Sequence, residues 1–133
     1  MTDTPKTVLH VLQAGAQFLE QKKIENPRLV CELLLSKLLG CERLELYLKY
    51  DNVLSEKKLA AMRRGIKRAA DGEPVQYILG ETGFMESVFK VDRRALIPRP
   101  ETEVLVQHVL TCKSLWETET PALVDVGTGS GCI

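Results

Sequence analysis

Hydrophobic spacing changes abruptly at Pro74, and that change divides the chain. Before it, apolar residues recur every three or four positions; after it, they come in short runs bounded by Gly and Pro. The first pattern gives each of several helices one apolar face, and the second belongs to strands. Charge reverses at the same place. Residues 1–73 carry thirteen Lys/Arg against ten Asp/Glu, and residues 74–133 carry five against eight. Asp71-Gly72-Glu73-Pro74 is therefore read as a structural boundary.

Ahead of that boundary the pattern predicts four or so amphipathic helices in an antiparallel bundle. Val8, Leu9, Val11, Leu12, Ala16, Phe18 and Leu19 mark the first. Asn26-Pro27 is read as a cap followed by a first-turn proline, opening a Leu-rich core helix that Gly40 ends. A shorter helix is expected over Glu42–Lys49, and Ser55 is placed to cap a helix from Glu56 to Ala70. About 70 residues make a small core, which docking against another body would help.

Beyond the boundary, Val75–Gly80 and Glu86–Val91 are read as two strands of a hairpin, with Gly80 and Gly83 between them. Pro98 and Pro100 hold Ile97 and Arg99 out of helix. Pro100 then opens a helix to about Cys112, with Glu101 and Glu103 at its positive end. Lys113–Pro121 reads as a polar loop, with Trp116 packing on a sheet, and Ala122–Val126 as a strand of a buried parallel sheet.

Composition narrows the class. The chain has 133 residues, 44% of them hydrophobic and 27% charged, which is the make-up of a globular protein rather than a disordered one. No apolar run approaches the ~20 residues that span a membrane, and the stretch from Met1 to Lys6 has no apolar signal core. Eighteen basic residues balance eighteen acidic ones, so the whole chain has no overall charge to draw nucleic acid. Cys31, Cys41, Cys112 and Cys132 form no Cys-x-x-Cys pair, and His10 and His108 lie far apart, so no metal site is expected. The cysteines are read as reduced, mostly buried thiols of a cytoplasmic protein.

The chemistry sits in the second half. Asp125-Val-Gly127-Thr-Gly129-Ser-Gly131 follows directly on the last predicted strand. Glycines there permit positive φ and close approach of a ligand to the backbone, and a helix starting near Gly131 would add free N–H groups. The spacing is Gly-x-Gly-x-Gly rather than the Gly-x-Gly-x-x-Gly of pyrophosphate loops. It resembles the cofactor loop of S-adenosylmethionine methyltransferases.

A second motif is more specific. Leu96-Ile97-Pro98-Arg99-Pro100-Glu101-Thr102-Glu103 precedes the glycine loop, and Gly72-Glu73-Pro74-Val75-Gln76-Tyr77-Ile78, Gly80 and Phe84 precede that in turn. In order and spacing the set resembles the HemK/PrmC family, the protein-(glutamine-N5) methyltransferases of peptide chain release factors. The resemblance implies a helical domain over 1–73 that helps hold the release factor, a hairpin linker over 74–97, and the start of a Rossmann-like α/β methyltransferase domain over 98–133. It implies S-adenosylmethionine as cofactor, held by Asp125, Gly127, Thr128, Gly129, Ser130 and Gly131, with Arg99, Glu101 and Thr102 closing near it. The implied reaction is methylation of the side-chain amide of the Gln in a Gly-Gly-Gln tip, which modulates translation termination.

That family places an Asn-Pro-Pro-Tyr motif at the reacting amide, and this sequence has none. The ribose-binding acidic residue expected after a second strand is missing too. The expectation is therefore an N-terminal portion of a methyltransferase with no catalytic residue of its own and no activity alone. Two alternatives stay open: a non-catalytic protein-binding helical module, and a related amide or adenine N-methyltransferase.

Lys57, Lys58, Arg63, Arg64, Lys67 and Arg68 fall on one predicted helix with no acidic residue between 57 and 68. They form a solvated face or, on the functional reading, a docking surface. In the resembled family that surface would meet a protein, with no membrane or direct nucleic-acid contact expected.

Overall fold

The computed structural model describes residues 6–117 and 119–133. Residues 1–5, most of the N-terminal stretch read above, and Thr118 of the predicted loop lie outside the described residues. The chain is mostly helical with one two-stranded antiparallel hairpin, and it divides into two compact units at Leu79–Gly80.

The first unit holds α1 (Val8–Gln21), α2 (Pro27–Leu39), a 3-10 helix (Arg43–Lys49), α3 (Glu56–Ala70) and α4 (Val75–Leu79). α1 starts where Thr7 accepts the His10 N–H, and α3 starts where Ser55 accepts the Lys58 N–H. Asn26 stands at the N-cap of α2 but takes a left-handed conformation, and its side chain makes no capping bond. The start of α2 therefore rests on Pro27, whose fixed φ suits a first turn. Gly40 ends the helix at φ 63.

One core joins these helices. Leu12 and Leu19 of α1, Cys31 and Leu35 of α2, Leu46 of the 3-10 helix and Met62 of α3 are almost fully buried. Two glycines let the helices approach closely. A Cβ on Gly15 would meet Ile66 Cδ1 at 2.8 Å and Cys31 Sγ at 3.0 Å, and one on Gly65 would meet Leu34 Cδ2 at 3.1 Å. Glu32 is buried on α2, where Arg28 Nε donates to it at 2.9 Å and Arg43 Nε lies 3.8 Å away. Arg28 also reaches the Tyr50 hydroxyl at 3.3 Å, so this pairing ties α2 to the end of the 3-10 helix.

The first expected strand is a helix instead. Val75, Ile78 and Leu79 of α4 stand at helical spacing and pack on the core, and Ile78 N–H donates to the Pro74 carbonyl. Gly80 stops the turn at φ 75. The β-forming character of Val-Gln-Tyr-Ile yields here to burial of one helical face.

In the second unit the hairpin pairs β1 (Glu81–Phe84) with β2 (Ser87–Lys90), so its first strand lies six residues later than expected. Phe84 pairs with Ser87, which leaves Met85 and Glu86 as a two-residue loop and puts Gly83 inside β1. Phe84 and Phe89 meet edge to face, 6.1 Å between centroids. α5 (Pro100–Thr111) follows as expected, from an extended Arg99. The expected polar loop contains a short helix, α6 (Lys113–Trp116). Trp116 Nε1 donates to the Val109 carbonyl at 2.9 Å.

Residues 122–126 form no strand, and no helix begins at Gly131. A strand needs a ladder partner for its N–H and C=O groups, and the described residues offer this segment none. The four cysteines are free, but only Cys31 is buried; the others are half-buried. Among the described residues no helix is long and apolar enough to cross a membrane.

Candidate functional site

Two features stand out, one in each unit. In the second, the backbone at Gly127, Gly129 and Gly131 has φ of 78°, 59° and 76°. These are left-handed conformations that residues with a Cβ adopt at a cost. The Gly131 N–H closes the turn on the Thr128 carbonyl at 2.9 Å. A Cβ on Gly127 or Gly131 would meet nothing within 4 Å, so conformation rather than crowding calls for glycine there. Asp125 Oδ2 is shielded from solvent yet has no hydrogen-bond partner. A shielded carboxylate oxygen with nothing to accept from is uncommon and asks for a donor. Thr128 is exposed and Ser130 half-buried beside it.

Arg99 stands extended at φ −101 and ψ 150, as the residue before a proline does, and its side chain is exposed. Its carbonyl accepts the Thr102 N–H at 3.0 Å. Glu101 is exposed and Thr102 half-buried in the same turn. Glu103 carries a contact that its spacing alone did not reveal: its carboxylate accepts the Met85 N–H at 2.6 Å. The start of α5 is thereby fastened to the hairpin loop.

In the first unit a groove of about 660 Å³ runs between α1 and α3. Val11, Ala14 and Phe18 line it from α1, and Ile66 from α3. The signal was present in the sequence, because Val11, Ala14 and Phe18 form a second apolar stripe at i, i+3 and i+7 beside the core stripe. Arg63 and Lys67, one turn apart on α3, stand on its rim. The other basic residues of α3 divide. Lys57 and Arg64 are exposed, Lys58 is half-buried, and none of the three lines the groove. Arg68 is engaged within the chain, donating through Nε and Nη2 to Glu73 at 2.6 and 2.8 Å. That paired geometry keeps the Arg68 guanidinium above its ordinary pKa.

Comparison with known proteins gives this arrangement a context. By itself the fold defines the class only as a mostly helical protein with one two-stranded antiparallel hairpin. A family model described as the PrmC N-terminal domain matches residues 10–80, more than half of the chain. The chain belongs to the PrmC family. It is 45% identical over 130 residues to a release factor glutamine methyltransferase of Chlorobaculum tepidum, covering 96% of this chain and 44% of that protein. A protein of the same name from Geobacter sulfurreducens is 42% identical over 135 residues, covering 100% of this chain and 46% of its own length. One from Rhodopirellula baltica is 39% identical over 133 residues, with 98% and 45% covered. The chain thus spans a little under half the length of the curated relatives it matches.

Proposed function

We propose that these residues supply the front part of a cytoplasmic enzyme that methylates the glutamine side-chain amide in the Gly-Gly-Gln tip of peptide chain release factors. The observation that carries this reading is the extent of the similarity. The Geobacter sulfurreducens relative aligns along the whole chain, glycine loop included, and not only along the helical unit.

On this reading the helical unit holds the release factor. The second unit is the hairpin and the beginning of the Rossmann-like domain. Asp125, Gly127, Thr128, Gly129, Ser130 and Gly131 would hold S-adenosylmethionine, with Arg99, Glu101 and Thr102 beside it. The fit is chemical. The cofactor offers hydroxyl and ammonium donors, and Asp125 Oδ2 is a shielded acceptor in want of one. The three glycines let a ligand lie against bare backbone. When bound, the cofactor supplies a methyl group on a cationic sulfur.

An amide nitrogen is a weak nucleophile because its lone pair is delocalised into the carbonyl. The contribution of this chain is positional: it holds the protein carrying the glutamine and fixes one wall of the cofactor site. Groups that aim the amide itself are not among its residues.

The test joins residues 1–133 to the remaining part of the Chlorobaculum tepidum relative and follows a purified release factor by peptide mass spectrometry. The joined protein is expected to add one methyl to the glutamine of the tip peptide, and residues 1–133 alone to add none. A folded, cofactor-binding joined protein that leaves the glutamine unmethylated would refute the assignment. Asp125→Ala in the joined protein is expected to weaken cofactor binding in equilibrium dialysis.

A further inference from the structure

The α1–α3 groove has a floor and a rim of opposite character. Its floor is apolar, and Phe18 keeps 42% of its surface exposed in the last turn of α1 although Leu12 and Leu19 on the same helix are sealed. Its rim is cationic. Lys22, Arg63 and Lys67 stand there with His10, and among the described residues Asp71 is the one acidic lining residue. Lys22 Nζ lies 5.8 Å from the Phe18 ring centroid, a cation over an aromatic face at the groove's edge. Among the described residues Lys22, Arg63 and Lys67 make no ion pair, whereas Lys6 is bridged to Glu56 at 3.4 Å and Arg68 to Glu73.

We propose that this groove receives an acidic amphipathic helix of a protein partner, with its apolar stripe on Val11, Ala14, Phe18 and Ile66 and its carboxylates against Arg63, Lys67 and Lys22. The proposal rests on the reading that the helical unit holds a protein, and it names the surface and the kind of segment. Charge complementarity selects the occupant. Unpaired cations on both walls favour carboxylates and repel a basic helix. The apolar floor selects a helix with anchors at i, i+3, i+4 and i+7, the spacing that laying a helix in a groove requires. A nucleic-acid strand fits less well, because it needs a cationic floor and several stacking rings, and among the described lining residues only Phe18 on the floor and His10 on the rim carry a ring. The length is adequate too. The 14 residues of α1 give a bed of about 21 Å, four turns of helix.

The probe is a synthetic peptide of about four turns with Leu at the anchor positions and Glu elsewhere. It is titrated into the ¹⁵N-labelled chain, beside a control carrying Lys for every Glu. The expected result is that the acidic peptide shifts the amides of Val11, Ala14, Phe18 and Ile66, that added salt weakens it, and that the basic peptide does not bind. Arg63→Glu with Lys67→Glu is expected to weaken the acidic peptide about tenfold or more, and Phe18→Ser to do the same, with circular dichroism melts showing each variant folded. Equal binding of both peptides, shifts confined to other surfaces, or tighter binding of poly-uridine RNA on the same residues would overturn the proposal. No release factor is present in this experiment, so its failure removes the groove assignment alone. Failure of the joined protein to methylate removes the enzymatic assignment and leaves the peptide result standing.

Discussion

Glu103 and Met85 are eighteen residues apart in sequence, yet the carboxylate of one holds the backbone N–H of the other at 2.6 Å. Met85 occupies the hairpin loop at φ 53, a left-handed conformation without the freedom of glycine. The bond therefore secures a loop residue that bears a local cost of about 1 kcal/mol. Glu103→Ala is expected to loosen the hairpin by about 1 kcal/mol, the modest figure reflecting exposure of both partners. Hydrogen exchange at the Met85 amide checks it: protection falls in Glu103→Ala and is largely retained in Met85→Gly. In that second variant the strain is relieved, so the hairpin is at least as stable as before.

Gly15 tests the closest helix approach. Alanine is favoured over glycine in a helix by about 1 kcal/mol. Here the added methyl would stand 2.8 Å from Ile66 and 3.0 Å from the buried sulfur of Cys31. Overpacking of a fixed core costs typically 1–3 kcal/mol, roughly, so Gly15→Ala is expected to destabilise the helical unit by about 1 kcal/mol net. A urea melt that moved the other way would mean that Ile66 swings aside freely.

Asp92 supplies a pH test. Arg94 grips its carboxylate with side-chain bonds of 2.6 and 2.9 Å and a backbone bond of 3.0 Å. These hold Asp92 down at about 2, below its ordinary 3.8. The folded value is the lower one. The turn gains from this ion pair fully above about pH 3.8, and the gain disappears as pH falls through about 2. Carboxyl NMR titration is expected to give a midpoint near the lower value, and Arg94→Ala to return it toward the ordinary one.

The cysteines separate by chemistry. Burial pushes the Cys31 thiol up to about 12, with the nearby Glu32 charge adding to it. A raised folded value means that this thiol favours the folded state below about pH 9 and that the benefit is lost as pH climbs toward 12. Cys112 is lowered instead, chiefly by its contact with Ser114 at 3.3 Å. Mild alkylation at pH 8 is expected to label Cys112 well before Cys31, and Ser114→Ala to slow Cys112. Rapid labelling of Cys31 in the folded protein would contradict its burial.

The helical unit was largely legible because its signals are local. Ser55 before Glu56 and Gly72 after Asp71 bracket α3, and Gly40 closes α2. Where local signals competed, tertiary packing decided. Val75–Leu79 reads as a strand by residue type and as a helix by the spacing of Val75, Ile78 and Leu79, and the core selects the helix. Residues 122–126 read as a buried strand, but pairing is a non-local property that residue type cannot supply. The positive φ of the loop glycines was foreseeable from their spacing. The Glu103–Met85 bond and the commitment of Arg68 to Glu73 were not, because each depends on how a turn folds back.

Burial is distributed very unequally between the two units. Among the described residues the helical unit encloses a cluster of twelve buried side chains, whereas α5 and α6 bury none and Phe84 and Val91 are the sealed apolar residues beyond Leu79. Cooperative melting scales with the apolar area a body conceals. A calorimetric transition is therefore expected to report chiefly on the helical unit. Heat absorbed in a calorimeter would come almost wholly from the helices, while the glycine loop could exchange its amides long before any transition was recorded.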